Sequence, residues 1–552
     1  MEKLLIKPKF KLLLLILTII IGFFIRFYQL GDIPSSMNRD EPAIGYNAYS
    51  ILQTGKDEWG KKFPLSFKSF GDFKSPLYIY LTVLPVKLFG LNEFSVRFWA
   101  ALAGSLMLPL TYFLIRGLFL NSKKTMVKKK EIIIQLLVLF LLAISPWAIF
   151  YSRFSFEAIL ALFLNIFIFY FLALKNFKKI DFKTIFVLIL SYFTYSSSFI
   201  IWPIFFAIWF IILGLKSISK KSLNNKKLFF SILLILIFSL LFFINQVGFG
   251  EQKGRITIFG NPQIRLDFNQ LRTDIEKKSF LRAKLFYNQY IYYGAIFLKN
   301  SIKSFSPNFL FGSGGSHPWH KIPIIPHLYP VFTILILIGI VCYLKNKQIV
   351  KEVKFFTILF VLLSLVPSGI TTDAPHATRL LNFFFWLTVF AGFGLSWLLE
   401  KFKLIGIIIL LLLTFNFFQF SKAYFVDYKK NPPGELLPGL REAVWYLNNS
   451  QPIADKIIFD KHNDSSYIYV LFYTSYPPAD FFNKVKRYNP DTAGLEWVEY
   501  FDKFLFVSNP RPDNRQTEIY VSGGDRNLGG QLIKKFTSQY HDEVYYTISA
   551  NF

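Results

Sequence analysis

The feature that most limits how this chain can fold is a set of long apolar runs, each near the roughly 20 residues an α-helix needs to cross a hydrocarbon layer. They lie near residues 11–30, 96–119, 132–150, 157–174, 184–197, 199–215, 228–244, 328–344, 355–370, 380–399 and 404–420 of 552. In lipid the backbone polar groups can pair only with one another, so such runs form helices. The pattern predicts about eleven transmembrane helices, with only the short turn "YFTYSSSFIIWP" between the fifth and sixth. The first run, "KLLLLILTIIIGFFIRFYQL", has the basic flank of a signal peptide but no small-residue cleavage site. It reads as a retained anchor.

A formal charge of +28 would suggest a nucleic-acid partner in a soluble protein. Here the lysines crowd into short segments between the apolar runs, where they act as topology signals, so no nucleic-acid partner is expected. The N-terminus "MEKLLIKPKFK" and the alternate loops "NSKKTMVKKKE", "KNFKKIDFK", "KSISKKSLNNKK", "KNKQIVKEVK" and "EKFK" contain lysine and no arginine. These fall on one side, which the lysine bias makes the cytoplasm. The opposite loops, near 31–94, 152–157, 245–327 and 371–379, carry acids, prolines and aromatics. An odd number of spans places the C-terminus on that outer side as well. The chain is thus expected to be a multi-pass cell-membrane protein with a cytoplasmic N-terminus. One cysteine, Cys342, lies inside an apolar run, which excludes a disulfide framework and a cysteine metal cluster.

From about residue 421 the pattern becomes that of a soluble α/β module. A helix is expected at "LREAVWYLNN" and strands at "KIIFD", "SYIYVLFYT", "KFLFVSN" and "EVYYTIS". The expected division is a membrane domain over 1–420 and an extracytoplasmic α/β domain over 421–552. Within the first outer loop, "EPAIGYNAYSIL" and "SPLYIYLTVLPVKLFG" read as helices lying in the membrane interface.

The span interiors are nearly free of charge, with Arg26, Arg97, Arg116 and Glu157 near span ends, where an interfacial position suffices. A transporter or flippase of lipid-linked precursors would be expected to carry ionisable residues deeper in its helices. The polar chemistry sits in the outer loops instead. Asp40 and Glu41 are adjacent at a helix start, where they serve as a cap, as catalytic acids, or as both. Asp72 and Lys74 precede Pro76 in "SFGDFKSPLYIYL", and the lysine is either a lipid anchor or a phosphate contact. Arg153 occupies the tight turn "SPWAIFYSRFSFE", suited to bidentate phosphate binding or to a lipid headgroup. "TTDAPHATRLL" places Asp373, His376 and Arg379 before a span. "FGSGGSHPWH" carries His317 and His320, a spacing that could bind metal but lacks an evident third ligand. Together these put an acid pair and several cations on one membrane face, fitting a phosphate-bearing lipid donor and a base that activates an acceptor hydroxyl.

The stretches "RDEPAIGYNAYSILQTGKDEWG", "FKSFGDFKSPLYIYLTVLPVKLFGLNEFSVRFWAALAGSL" and "SPWAIFYSRFSFE", with support from "FSPNFLFGSGGSHPWH" and "DAPHATRLL", resemble the bacterial polyprenyl-phosphate-sugar glycosyltransferases of the GT-C fold. These are relatives of the protein O-mannosyltransferases and of the lipid A aminoarabinose transferase. The resemblance implies a multi-pass α-helical membrane protein of GT-C fold with a C-terminal soluble α/β domain. It implies inverting transfer of a sugar from a polyprenyl-phosphate donor to a protein, glycan or lipid acceptor. Asp40 maps onto the family's catalytic base with Glu41 beside it, while Lys74, Arg153, Arg379 and His376 map onto donor-phosphate contacts. Tyr46, Asp72 and His320 are further candidates for the substrate site. Residue 157 is Glu where some relatives have Asp. No cofactor is expected, and no metal. The remaining alternatives are the transporter and a non-catalytic membrane assembly protein presenting the C-terminal module.

Overall fold

The structure, a computed structural model, describes residues 8–70, 72–119, 125–219, 224–247, 256–312, 314–315, 317–322, 325–450, 453–460, 465–491, 495–511, 513, 515–538 and 542–551. The chain forms two compact units. One comprises residues 1–27, 100–152 and 156–420, the other residues 28–99, 153–155 and 421–552.

The first unit is a helical bundle. Seven helices in the chain are long and apolar enough to cross a membrane among the described residues: Lys9–Phe27, Glu93–Leu118, Glu157–Leu174, Ser196–Leu215, Lys351–Gly369, Ala377–Lys401 and Lys403–Lys430. Eleven were expected. The other four runs fall on Thr125–Ile144, which opens with lysines, and on the shorter apolar helices Phe182–Tyr192, Lys227–Phe243 and Phe332–Lys345. These four are shorter or more charged than the seven, because an apolar run does not report where the helix within it begins or ends.

Lipid tails are as apolar as leucine, so burial here reflects helix packing and not escape from water. Ala377–Lys401 is the central helix, with 94% of its apolar window buried, against 17% for Lys9–Phe27 and 17% for Lys403–Lys430. Close approach to the central helix depends on glycine. A Cβ on Gly394 would lie 2.0 Å from the Leu335 carbonyl oxygen, and one on Gly339 would lie 1.7 Å from the Phe390 carbonyl oxygen. Gly394→Val should therefore force these backbones apart at a cost of about 1–3 kcal/mol, seen as a lower unfolding temperature in detergent. Unchanged unfolding would contradict this packing. Polar pairs also link helices: Asn165 Oδ1 accepts from Trp202 Nε1 at 2.8 Å and from Ser198 Oγ at 3.1 Å.

The second unit carries a β-hairpin and a seven-stranded sheet. The hairpin joins β1 (Phe67–Ser69) to β2 (Asp72–Lys74), with Phe67 opposite Lys74. The sheet comprises β3 (Lys456–Asp460), β4 (Lys486–Arg487), β5 (Val498–Phe501), β6 (Phe504–Val507), β7 (Glu518–Gly523), β8 (Gln531–Thr537) and β9 (Val544–Asn551). Its order is β4-β5-β6-β3-β7-β9-β8. β3 runs parallel to β6 and to β7, while the other pairs are antiparallel. The helix expected at "LREAVWYLNN" is Leu440–Ser450.

"SYIYVLFYT" is a correction: residues Ser466–Tyr473 form a helix, not a strand. Its β-branched and aromatic residues fit either state when every side is covered, and Ser466 through Phe472 are all buried. The run packs against the helix Asp40–Thr54, where a Cβ on Gly45 would meet the Phe472 ring at 2.4 Å. That helix and Pro76–Phe89 form as expected. Asp40–Thr54 is enclosed by protein over ten of its fifteen residues, which leaves it little surface to lay on a membrane. Pro76–Phe89 does expose Leu84, Leu88 and Phe89.

Candidate functional site

The start of the Asp40–Thr54 helix is built so that the two acids do different work. Asn38 Oδ1 accepts the Asp40 N–H at 3.0 Å, and Glu41 Oε2 accepts the Asn38 N–H at 3.2 Å. This reciprocal arrangement resembles a capping box. The first turn is thus capped by Asn38 and Glu41, and the Asp40 carboxylate is left to face Lys74. Their separation is 2.8 Å, with side chains 37% exposed for Asp40 and 10% for Lys74. Lys74 ends β2, one residue before Ser75 and Pro76 open the next helix, so hairpin register sets its position.

Glu41 is buried. Arg97 Nε donates to its Oε1 at 3.0 Å and Arg97 Nη2 to its Oε2 at 3.4 Å. The Ser155 N–H donates to Oε1 at 3.2 Å. Burial pushes the Glu41 carboxyl up, while Arg97 and the N–H donors oppose the shift. Arg97, expected at an interfacial position, is instead fully buried; it also donates to the carbonyls of Leu30, Pro34 and Ser36 at 3.1, 2.9 and 3.0 Å. Sequence reasoning missed it because its partner lies 56 positions away.

Arg153 is likewise buried. Its Nη2 donates to the carbonyls of Tyr28 at 2.7 Å and Ile33 at 3.0 Å. Its guanidinium lies 5.0 Å from the Phe425 ring centre. Tyr46 is buried too, its hydroxyl donating to the Tyr476 carbonyl at 3.0 Å. The backbone of Asp72 pairs with Ser69 in the hairpin, and its side chain lies outside the described residues. A second buried acid, Glu58, was also missed; it accepts from Tyr467 Oη at 2.7 Å and Asn47 Nδ2 at 3.3 Å.

The remaining candidates gather in the helical unit. Arg379 Nη1 donates to Asp373 Oδ1 at 2.5 Å and to Thr371 Oγ1 at 2.8 Å. His376 Nε2 lies 3.5 Å from Asp373 Oδ2, and its Nδ1 lies 3.1 Å from Thr378 Oγ1. The short turn Ala377–Leu380 therefore brings His376 and Arg379 to one carboxylate. The His320 ring stacks on His317 at 4.2 Å and meets His376 at 4.6 Å. Burial holds the His320 and His376 imidazoles well below the ordinary histidine range, and neighbouring positive charge adds to this, so both are neutral near pH 7. Among the described residues, no three His, Cys, Asp or Glu side chains are placed to hold a metal ion. Asp40, Glu41, Lys74 and Arg153 belong to one unit, and His320, His376 and Arg379 to the other.

This architecture is that of a multi-pass α-helical membrane protein of the GT-C fold with a C-terminal sheet domain. The chain is similar to ArnT, the lipid A aminoarabinose transferase, from Cupriavidus metallidurans bound to undecaprenyl phosphate, with 10% identity over 99% of each chain and a TM-score of 0.52. It also aligns with the Archaeoglobus fulgidus oligosaccharyltransferase tethered to an acceptor peptide, at 13% identity and a TM-score of 0.48, over 85% of this chain and 64% of the other. The chain thus spans less than two thirds of the oligosaccharyltransferase. No family model matches the sequence, and no curated protein does.

Proposed function

We propose that the chain is a membrane glycosyltransferase that moves a sugar from a polyprenyl-phosphate donor to an acceptor hydroxyl, with Asp40 as general base. The observation that carries this is the division of labour within the acid pair. Glu41 is locked to Arg97, while Asp40 stays part-exposed, oriented by Lys74 and relieved of capping. A base must reach its substrate, and only Asp40 of the two can do so.

In the proposed step the acceptor oxygen attacks the anomeric carbon, the carbon–oxygen bond to the lipid phosphate breaks, and the acceptor proton passes to Asp40. The phosphate leaves with the bonding pair and needs no proton if a cation faces it. Lys74 is the best placed for this, because its partner is part-exposed. Arg379 is a second candidate, with His376 beside it on the same Asp373 carboxylate. Arg153, which donates to the backbone carbonyls of Tyr28 and Ile33, is better suited to holding residues 28–33 in place. The fold likeness to a protein solved with undecaprenyl phosphate supports a polyprenyl lipid as the donor class. The lysine-rich loops support placing the reaction on the face opposite the cytoplasm.

Purified protein should be offered a panel of polyprenyl-phosphate sugars and the released lipid phosphate measured. Release from at least one donor, slowed about 10² to 10⁴-fold by Asp40→Asn, is expected; no release from any donor by folded protein would overturn the reading. Lys74→Ala should weaken donor use by roughly tenfold to a hundredfold, as loss of a charge-assisted contact of about 1.5–3 kcal/mol implies. Normal donor affinity in that variant would leave Lys74 as a partner of Asp40 alone. Reporter fusions should place residues near 180 and 350 in the cytoplasm and those near 60 and 480 outside it.

A further inference from the structure

Between the apolar helices Asn224–Val247 and Phe332–Lys345 the chain runs through the helices Pro262–Glu276, Phe280–Phe286 and Gln289–Lys303, ahead of the shorter Pro307–Phe311. Their composition is unlike that of a water-facing loop. Residues 262–303 hold eight Lys and Arg against three Asp and Glu, and all eight basic residues are exposed. Large apolar side chains are exposed alongside them: Leu266 by 59%, Leu281 by 65%, Phe286 by 63%, Leu298 by 59% and Ile302 by 61%. A soluble surface rarely carries so much uncovered apolar area.

The position of the segment says what covers it. Asn300 Nδ2 donates to the carbonyls of Gly369 at 3.2 Å and Thr371 at 3.0 Å, and Gly369 is the last residue of the span Lys351–Gly369. Phe305, just past the third helix, meets Phe383 at 5.0 Å between ring centres, near the start of the span Ala377–Lys401. Both anchors lie near the ends of helices long and apolar enough to cross a membrane. A segment held there with apolar and basic residues exposed matches the chemistry of an anionic lipid surface: tails for the apolar groups, phosphates for the cations. The helices also enclose an apolar cleft of about 150 Å³, lined by Phe268, Leu271, Phe286, Ile291 and Tyr292, with Arg272 among its walls.

We propose that residues 262–303 form a lipid-binding shelf in the membrane interface, whose cleft takes a chain end of an anionic phospholipid while Arg272 and its basic neighbours face the phosphate. This does not depend on the catalytic reading. The occupant is the bilayer phospholipid itself, since the shelf is built onto span ends and its excess charge is spread along it.

The test uses the full chain in nanodiscs. In a Cys342→Ser background, a single cysteine is introduced as Leu281→Cys or Leu298→Cys and labelled with bimane. Phospholipid brominated in its tails should quench the label strongly at both positions. Native mass spectrometry should then show retained phosphatidylglycerol in preference to phosphatidylcholine, and Arg272→Gln, Arg282→Gln and Lys284→Gln should each lower that preference by up to about fivefold. Water-like emission at 281 and 298, or equal retention of the two lipids, would overturn the proposal. Displacement of phosphatidylglycerol by equimolar polyprenyl phosphate would do so as well, by making the shelf a donor site.

Discussion

Replacing Asp40 with Asn should leave a folded protein that still binds donor lipid but transfers sugar about 10² to 10⁴ times more slowly, the usual loss on removing a positioned general base. Folding should survive because Asn38 and Glu41, not Asp40, cap the helix. The pair that is lost, Asp40 with Lys74, is more than a third exposed on the acid side, and contributes at most about 1 kcal/mol. Asparagine keeps the shape and can still accept a hydrogen bond from Lys74, but it cannot take up the acceptor's proton at neutral pH. The measurement is single-turnover transfer, alongside donor binding and an unfolding curve. Wild-type turnover in a well-folded variant would reduce Asp40 to an orienting partner of Lys74.

Glu41→Ala should have the opposite signature, a large loss of stability with much less effect on the turnover of molecules that remain folded. It would strip Arg97 of its carboxylate partner in a site with no exposure. Breaking a buried pair from one side typically costs about 3–5 kcal/mol, because the other charge is left without compensation. The same variant frees the N–H groups of Asn38 and Ser155, so the loop before the helix should loosen too. Glu41→Gln retains an acceptor and should fall between. The readouts are unfolding temperature and turnover per folded molecule. A Glu41→Ala protein as stable as wild type would mean that the three backbone carbonyls around Arg97 suffice for its charge.

The two variants together test what sequence adjacency could not show. Asp40 and Glu41 were both legible as candidates from their place at a helix start, yet nothing in "RDEPAIGY" says which acid is spent on the fold. Burial separates them, with Glu41 at 1% side-chain exposure and Asp40 at 37%. The same applies to the cations. Lys74, Arg153 and Arg379 look alike in sequence, but Arg153 is surrounded by carbonyls from residues 120 to 125 positions earlier. His376 and Arg379 were legible as a pair because their spacing is local.

What the sequence determined by itself is whatever adds up along the chain. Transfer of apolar side chains into lipid is a sum over consecutive residues, so the membrane class and most spans could be read directly, as could the two helices of the first outer loop. The helix Ser466–Tyr473 could not, because a run covered on all sides satisfies strand and helix patterns equally, and its contacts with the helix Asp40–Thr54 decide between them. Nor could the grouping of residues 28–99 with residues 421–552 in one compact unit. Hydrogen bonds such as Tyr46 to the Tyr476 carbonyl and Tyr469 to the Met37 carbonyl tie these segments across more than 400 positions. Buried charges and hydroxyls are satisfied by whatever lies within about 3 Å in space, and that distance is defined only once the chain has folded.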